Sequence, residues 1–267
     1  MKSPLHPFLL ALAVVGFALP TLRAVAPDVV RSNWNGYARL DFSVAGRSCL
    51  LVRPAKAAPG NPWIWRTEFF GVEPQVDLAL LAAGWHVAYM NAKDMYGAPP
   101  AIALLGAFYA HVVANYDLSP RVVLEGFNRG GLYAFNFAAA HPNRVAALYL
   151  DAPVLDIRSW PGRYRGTKEW AECLAIYGLT EETVGNFRGN PLDRVDAVAR
   201  AGVPIIAVCD EADTAVPFGQ NTALLEKRYR ELGGTMQVIL RPPGDHRPYG
   251  LNDPAPIVSF ITAQAHF

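Results

Sequence analysis

The stretch LEGFNRGGLYAFNFAAAHP, residues 124–142, joins an apolar run to a helix-like run of small residues. Between the two runs lies Gly126-Phe127-Asn128-Arg129-Gly130. Glycine has no Cβ, so the flanking glycines allow a sharp turn and let neighbouring backbone pass close to it. The stretch therefore predicts a tight strand-to-helix turn with Asn128 at its centre.

The rest of the chain alternates short apolar segments with helical ones. Predicted strands cover residues 50–52, 63–65, 85–90, 122–124, 146–150, 205–208 and 238–240, and predicted helices cover 72–83, 98–116, 131–140, 218–232 and 254–265. This alternation indicates an α/β fold with a mostly parallel central sheet and helices on both faces. Residues 36–44 alternate apolar and polar side chains, which predicts an antiparallel edge strand. Active sites of such sheets lie at the carboxyl ends of the strands.

One segment interrupts the alternation. Residues 156–190 separate two predicted strands by more than one crossover helix needs, and they include two Trp and two Tyr residues. We predict two short helices here, at about 167–177 and 180–187, which form a small helical cap over the ligand edge of the sheet. The alternative is a surface crossover without a role in binding.

Two loops at the predicted carboxyl edge carry further candidate residues. Asp213 lies in a loop after strand 205–208, and His246 follows a Pro-Gly-Asp turn after the last strand. With the turn at Asn128, this pattern resembles the α/β-hydrolase family. That family carries a Gly-x-Ser-x-Gly turn and places its nucleophile, acid and histidine in this order along the chain. The resemblance covers residues 36–265 and is closest to exported bacterial members.

The resemblance implies roles for individual residues. Asn128 takes the nucleophile position, Asp213 that of the acid and His246 that of the histidine. Asp210 and Glu211 stay open as solvated loop carboxylates or as alternative acids. The family also implies an oxyanion hole, and we expect its two backbone N–H donors at Arg129 and between Trp65 and Phe69.

Asn128 is the departure from the family pattern. A carboxamide is a poor nucleophile, and it cannot be activated by losing a proton to a histidine as a hydroxyl can. One hypothesis is that His246 and Asp213 act as a general base on water or substrate, which permits hydrolysis or a lyase or isomerase step. Another is a non-catalytic, ligand-binding pseudo-hydrolase. The third is deamidation of Asn128 to an aspartate nucleophile. The Asp–His pair favours an enzyme, a hydrolase of the carboxylic-ester type.

The presumed mouth of the site combines aromatic and charged side chains. Candidates for substrate binding are Trp65, Arg66, Glu68, Tyr96, Arg129 and Trp160. Aromatic faces beside charged hydrogen-bonding groups suit sugars, and arginine suits carboxylates. We therefore hypothesise a small-molecule substrate, a carbohydrate-related ester or uronate. The alternative is that the aromatic residues only fill the core of the cap.

Composition excludes several other classes. The chain has 267 residues, of which 52% are hydrophobic and 18% charged, and its net charge is +1. One large domain fits this length, and the charge balance gives no reason to expect a nucleic-acid partner. The glycines of the turn lack a dinucleotide-binding fingerprint, and no Cys or His spacing indicates a metal site, so we expect neither cofactor nor metal.

The N-terminus has the pattern of a secretory signal. Lys2 precedes an apolar run at residues 8–20, and small residues follow at Ala24 and Ala26. We predict a signal peptide at 1–24, a mature domain at 25–267 without a membrane span, and a secreted or periplasmic location. The alternative is an uncleaved membrane anchor. The three cysteines permit one disulfide, whose pairing the sequence leaves open.

Overall fold

A single mixed sheet is the centre of the computed structural model, which describes residues 29–244, 246–247 and 249–265. The predicted signal peptide lies outside the described residues. Within them the sheet has nine strands: β1 (Val30–Trp34), β2 (Tyr37–Val44), β3 (Arg47–Arg53), β4 (Trp63–Arg66), β5 (His86–Met90), β6 (Val122–Phe127), β7 (Val145–Asp151), β8 (Ile205–Cys209) and β9 (Met236–Leu240).

The strand order is β1-β2-β3-β5-β4-β6-β7-β8-β9. Strands β1, β2, β3 and β5 pair antiparallel, and β5, β4, β6, β7, β8 and β9 pair parallel. The predicted mostly parallel sheet with an antiparallel beginning is thus confirmed. All parallel strands end at the same edge, which brings the loops after β4, β6, β7, β8 and β9 together.

Helices cover both faces of the sheet, as predicted. They are α1 (Gln75–Ala82), α2 (Pro99–Tyr116), α3 (Gly130–Ala140), α4 (Lys168–Tyr177), α5 (Val195–Arg200), α6 (Thr222–Glu231) and α7 (Ala255–Gln264). Helices α1 and α7 belong to one hydrophobic cluster, and α2 to α6 contribute to the other. No helix of the described residues is both long enough and apolar enough to cross a membrane.

Three features differ from the sequence prediction. Strand β1 was not predicted because its side chains are largely exposed and show no apolar alternation. Helix α5 was not predicted either. The prediction of a second cap helix at 180–187 is wrong, because this segment forms turns and a short 3-10 helix, Val184–Asn186. Thr180 and Thr183 accept each other's backbone N–H with their side chains, an alternative to helical bonding.

The first predicted cap helix is confirmed as α4. The Thr167 side chain accepts the N–H of Trp170 at its start, and Gly178 ends it in a left-handed conformation. All three cysteines are buried and free, so the disulfide that the cysteine count permits is not formed.

Candidate active site

Asn128 lies on a sharp turn between β6 and α3. Its φ is 47°, which lies in the left-handed region of backbone conformation that residues other than glycine rarely adopt. Its backbone N–H donates to the Asp151 carbonyl at 2.9 Å, and its carbonyl accepts from Gly131 at 2.9 Å and Val154 at 2.8 Å. Bonds from three directions hold the strained backbone in place, as a strained functional position requires.

The glycines of the motif are required by close packing. A Cβ on Gly126 would lie 2.9 Å from the Gly130 carbonyl oxygen, and one on Gly131 would lie 2.6 Å from Pro153 Cβ. A Cβ on Gly130 would lie 3.1 Å from Thr67 Oγ1. The turn therefore lies directly against the loop after β4 and the segment after β7.

The Gly131→Ala variant should lose about 1–3 kcal/mol of unfolding free energy, because its Cβ would overlap Pro153 and the Val154 carbonyl. Urea unfolding measures the loss. Gly185→Ala is the matched control, since no atom lies within 4 Å of its added Cβ, and its stability should change by less than about 0.5 kcal/mol. Equal stability of the two variants would contradict the tight packing of the turn.

Asn128, His246 and Asp213 meet although they are far apart in the sequence. His246 Nδ1 lies 2.7 Å from Asp213 Oδ2, and His246 Nε2 lies 2.7 Å from Asn128 Nδ2. Asp213 Oδ1 accepts the backbone N–H groups of Ala215 and Val216, which fixes the carboxylate. The structure thus aligns an acid, an imidazole and the turn residue.

Asp210 takes a different part. Its carboxylate accepts the N–H of Ala212 at 2.8 Å and of Gly244 at 2.6 Å, and so connects the loop after β8 to the loop after β9. Glu211 is exposed. Of the three carboxylates left open by the sequence, Asp213 is the one at the imidazole.

The contacts of the imidazole decide which ring nitrogen carries the proton in its neutral form. Burial would raise the pKa of Asp213, but the hydrogen bonds from His246, Val216 and Ala215 outweigh it and the pKa is lowered. An ionised carboxylate only accepts, so Nδ1 of His246 carries a proton. In the neutral imidazole Nε2 is then an acceptor, which matches the N–H donor of Asn128.

Tyr249 is a site residue that the sequence analysis missed. Its hydroxyl lies 3.0 Å from His246 Nε2 and 3.1 Å from Asn128 Nδ2. Its ring packs against Phe127, Phe69 and the edge of His246. Its position three residues after His246 is the only signal that the sequence offers.

Asp151, also missed, connects the two halves of the site. It ends β7, where its carbonyl accepts the Asn128 N–H and its carboxylate accepts the Gly250 N–H at 2.7 Å. Burial raises the pKa of Asp151 to about 7, opposed by Arg241, the Gly250 N–H, Tyr149 and His246. Asp151 thereby fixes the segment that follows His246 relative to Asn128.

The Asp151→Asn variant should alter the pH dependence of stability. With a folded pKa near 7, above the ordinary 3.8, Asp151 binds a proton in the folded but not the unfolded protein between these values. Its contribution to stability therefore falls as pH rises from about 4 to about 7, by at most about 1.4 kcal/mol per pH unit. The asparagine keeps an acceptor for Gly250 without titrating.

Urea unfolding of both proteins at several pH values checks this. The unfolding free energy of the variant minus that of the wild type should increase with pH across this window. A difference independent of pH would rule out the raised pKa of Asp151.

An open cavity of about 610 Å³ lies beside Asn128. Its lining combines aromatic rings with charged groups, namely Glu68, Phe69, Phe70, Tyr89, Lys93, Asn128, Arg129 and Trp160. Glu68, Arg129 and Trp160 were predicted at the mouth, and the structure places them there. Because Trp160 belongs to the segment predicted as the cap, this segment borders the cavity.

The charges in the cavity are paired with each other. Arg129 forms ion pairs of 3.2 Å with both Glu68 and Asp94, and its guanidinium lies over the Phe69 ring. Burial raises the pKa of Glu68, although Arg129 opposes the shift. The pairing fixes the Arg129 side chain in the cavity lining.

The structure places the other three predicted binding residues outside the cavity lining. Trp65 is fully buried and packs on Trp63, Phe108 and Phe137. Tyr96 is buried, with its hydroxyl bonded to Glu172 and its ring 6.1 Å from that of Trp160. Trp65 is therefore a core residue, and Tyr96 packs against Trp160.

Arg66 is buried instead of lining the mouth. It forms ion pairs with Asp77 at 2.7 Å and Glu125 at 2.8 Å, and donates to the carbonyls of Phe69 and Val72. A guanidinium has five N–H donors, so it can join several segments at once. Arg66 holds the loop after β4 against β6, which contributes to the shape of the site without facing it.

Two backbone segments are suited to bind an oxyanion. The Thr67 N–H donates to the Glu125 carbonyl, so it is excluded as an oxyanion donor. The N–H groups of Glu68, Phe69 and Arg129 form no hydrogen bond with a described residue, and the backbone at Phe69 is left-handed. The predicted donor positions, Arg129 and residues 65 to 69, thus include three such N–H groups, and their role at an oxyanion stays a prediction.

Within the part of the chain that the structure describes, no group of three or more His, Cys, Asp or Glu side chains could hold a metal ion.

Comparisons with known proteins give a likeness in structure only. No protein-family model and no curated protein matches the sequence. Porphyromonas gingivalis dipeptidyl peptidase 4 superimposes with a TM-score of 0.65 and 15% identity over 87% of this chain, which spans only 36% of that peptidase. S-formylglutathione hydrolase (FrmB) from Staphylococcus aureus superimposes with a TM-score of 0.62 and 15% identity, and the match covers 85% of this chain and 98% of that hydrolase. Mycobacterium tuberculosis MPT51 (FbpC1) superimposes with a TM-score of 0.59 and 18% identity, and the match covers 83% of this chain and 95% of MPT51.

Proposed function

We propose that this protein, whose chain has the α/β-hydrolase fold, hydrolyses a carbohydrate-related carboxylic ester with His246 as its general base. The observation that carries the proposal is the alignment of Asp213, His246 and Asn128 through two contacts of 2.7 Å. A general base must lie within hydrogen-bond reach of the proton that it removes. Asn128 occupies the position of an attacking group but does not attack.

In this proposal the imidazole performs the proton transfers. His246 Nε2 takes a proton from the attacking O–H group and returns one to the leaving alcohol, while Asp213 keeps Nδ1 protonated and stabilises the imidazolium. The Asn128 Oδ1 is buried and forms no hydrogen bond with a described residue, so the carboxamide contributes a donor to the site and no attacking group. Backbone N–H groups at Arg129 and Phe69 stabilise the oxyanion.

The cavity supports a sugar-like substrate. Trp160, Phe70 and Tyr89 provide aromatic faces, and Lys93 and Arg129 provide charged donors within the same lining. Apolar surface with a few directed polar groups is the usual composition of a small-molecule site. Two of the structural neighbours are called a hydrolase and a peptidase, but a shared fold alone does not transfer an activity.

One observation favours a second candidate, a ligand-binding protein without turnover. Asn128 Nδ2 and the Tyr249 hydroxyl both lie within 3.0 Å of His246 Nε2 and occupy the position where a base would receive its proton. The aromatic and charged lining would bind a sugar equally well without a reaction. The two candidates differ only in whether bound ester is cleaved.

Turnover and binding, measured on the same panel, separate these candidates. Acetylated sugars and methyl esters of uronic acids are incubated with the protein, the released acid is quantified, and binding is measured by calorimetry. Release of acid supports the hydrolase. Binding without release supports the pseudo-hydrolase, and an unsaturated sugar product would instead identify a lyase that uses the same base.

We further propose that the mature protein begins after residue 24 and acts outside the cytoplasm. The basic, apolar and small-residue order of residues 1–24 supports this proposal. N-terminal sequencing of protein recovered from the periplasm or medium tests it, and a chain that retains Met1 in the cytoplasm would contradict it.

A further inference from the structure

The hydroxyl of Tyr249 lies beside His246 and Asn128, the turn residue that has no hydroxyl of its own. It is 3.0 Å from Nε2 of His246 and 3.1 Å from the amide nitrogen of Asn128. Asn128 lines the cavity, and so does Phe69, whose ring stacks on that of Tyr249. Tyr249 thus contacts two residues of the cavity lining as well as the base.

The direction of its hydrogen bonds follows from the partners. The Asn128 amide nitrogen only donates, so the phenol oxygen accepts from it. Nε2 of the neutral imidazole only accepts, because the ring proton is on Nδ1 facing Asp213. Of these two partners only Nε2 can accept the phenol proton, and its single lone pair faces both the phenol at 3.0 Å and the Asn128 amide at 2.7 Å. Both donors therefore converge on Nε2, and the imidazole in turn donates from Nδ1 to Asp213.

Packing fixes the phenol in this position. Its ring centroid lies 5.2 Å from that of Phe127 and 6.3 Å from that of Phe69, and it meets the His246 ring at 89°. Only 3% of the residue is exposed. A ring held on three sides leaves the hydroxyl with little freedom, which is the preorganisation that an attacking group needs.

The neighbours of the ring affect its ionisation in opposite directions. Burial raises the pKa of Tyr249, whereas the hydrogen bond from Asn128 and the positive charge of Arg247 lower it, and the net result is a raised value. The phenol is thus protonated at neutral pH, which is the starting state for donation to His246. Asn128 and Arg247 favour the phenolate once the proton has left.

We infer that Tyr249 supplies the hydroxyl that Asn128 lacks and accepts the acyl group of the ester as a covalent nucleophile. The inference rests on the proposed ester hydrolysis and deepens it. Tyrosine is among the side chains that form covalent intermediates, and activation by an adjacent base is the usual requirement.

Each step can be written with its protons. His246 Nε2 takes the phenol proton as the Tyr249 oxygen bonds to the ester carbon, and the carbonyl electrons move to the oxygen held by backbone N–H groups. The tetrahedral intermediate collapses, and the alcohol leaves with the proton from Nε2. Water then attacks the aryl ester while Nε2 takes its proton, and the departing phenolate recovers that proton.

Adduct mapping on the intact protein tests the inference. The wild type is incubated with para-nitrophenyl acetate or with a fluorophosphonate, quenched in acid and digested, and the modified peptide is sequenced by mass spectrometry. We expect one acetyl or phosphonyl group on Tyr249. Tyr249→Phe and His246→Ala should lack the adduct, and Tyr249→Phe should acylate at least about 100-fold more slowly.

Tyr116→Phe is the matched control. Tyr116 packs against Phe42 and His111, and its substitution should leave the adduct on Tyr249. The adduct on the wild type is observed without any variant, so a poorly folded Tyr249→Phe would leave this measurement intact.

The outcomes separate the inference from the function on which it rests. Turnover of sugar esters that persists in Tyr249→Phe, with no adduct on Tyr249, overturns the inference and keeps the hydrolase. An adduct on Tyr249 without turnover of any sugar ester supports the nucleophile and counts against the proposed substrate. Neither adduct nor turnover overturns both.

Discussion

The Asn128→Ser variant is expected to become a conventional serine esterase, with a burst of para-nitrophenol and a steady rate at least about 100-fold above the wild type. The turn is already strained to a φ of 47°, and His246 Nε2 already lies 2.7 Å from the side chain at this position. A serine hydroxyl placed there can donate to the imidazole, whereas the carboxamide has no proton that the imidazole removes.

Stopped-flow absorbance measures this gain, and intact-protein mass spectrometry locates the acyl group. The acyl group should move to residue 128. Asn128→Ala is the matched control, because it removes the carboxamide without adding a hydroxyl, and it should show no new burst. A well-folded Asn128→Ser without a burst would mean that the imidazole or the oxyanion donors are misaligned for attack from the turn.

The His246→Ala variant is expected to lose about 10²–10⁴-fold of the ester turnover of the wild type, since this range is the usual contribution of a general base. The imidazole is the link between Asp213 and the residues at the cavity, Asn128 and Tyr249. Removing it leaves the backbone N–H donors and the cavity in place, so substrate binding should decrease far less than turnover.

The comparison of turnover with binding is what makes this test specific. Initial rates give turnover and calorimetry gives binding of an unreactive sugar. His111→Ala is the matched control, because His111 packs on Phe42 and Tyr116 away from the cavity, and it should retain full turnover. If His246→Ala kept its turnover, another group would be the base and the proposed mechanism would be wrong.

The correct sequence predictions share a property. The turn at Asn128 was predictable because Gly126 and Gly130 lie two residues to either side of it in the chain, and an added Cβ on either would meet a neighbouring atom within 3.1 Å. The positions of Asp213 and His246 after their strands were likewise local features, and the parallel sheet brings the ends of those strands to one edge. Their catalytic roles stay predictions, which the variants above test.

The wrong predictions about the site concern side-chain direction. Trp65 and Arg66 are adjacent in β4, and their residue types alone led to the prediction that both line the mouth of the site. The structure buries Trp65 among aromatic rings and Arg66 between two carboxylates. Aromatic and charged residues occur in binding sites and in buried networks alike, so residue type alone does not decide between them.

The sequence by itself determined the α/β fold and the tight turn, because these depend on hydrophobic periodicity and on glycines within a few positions of one another. The order of the three candidate residues came from the resemblance to the α/β-hydrolase family. Only the tertiary structure decided that Asp213, and neither Asp210 nor Glu211, meets the imidazole, and that Tyr249 and Asp151 join the site. These contacts connect segments up to about 120 residues apart, and they depend on how the loops after β6, β7, β8 and β9 pack over one edge of the sheet. A hydrogen bond of about 3 Å depends on that packing, which leaves no mark in local sequence.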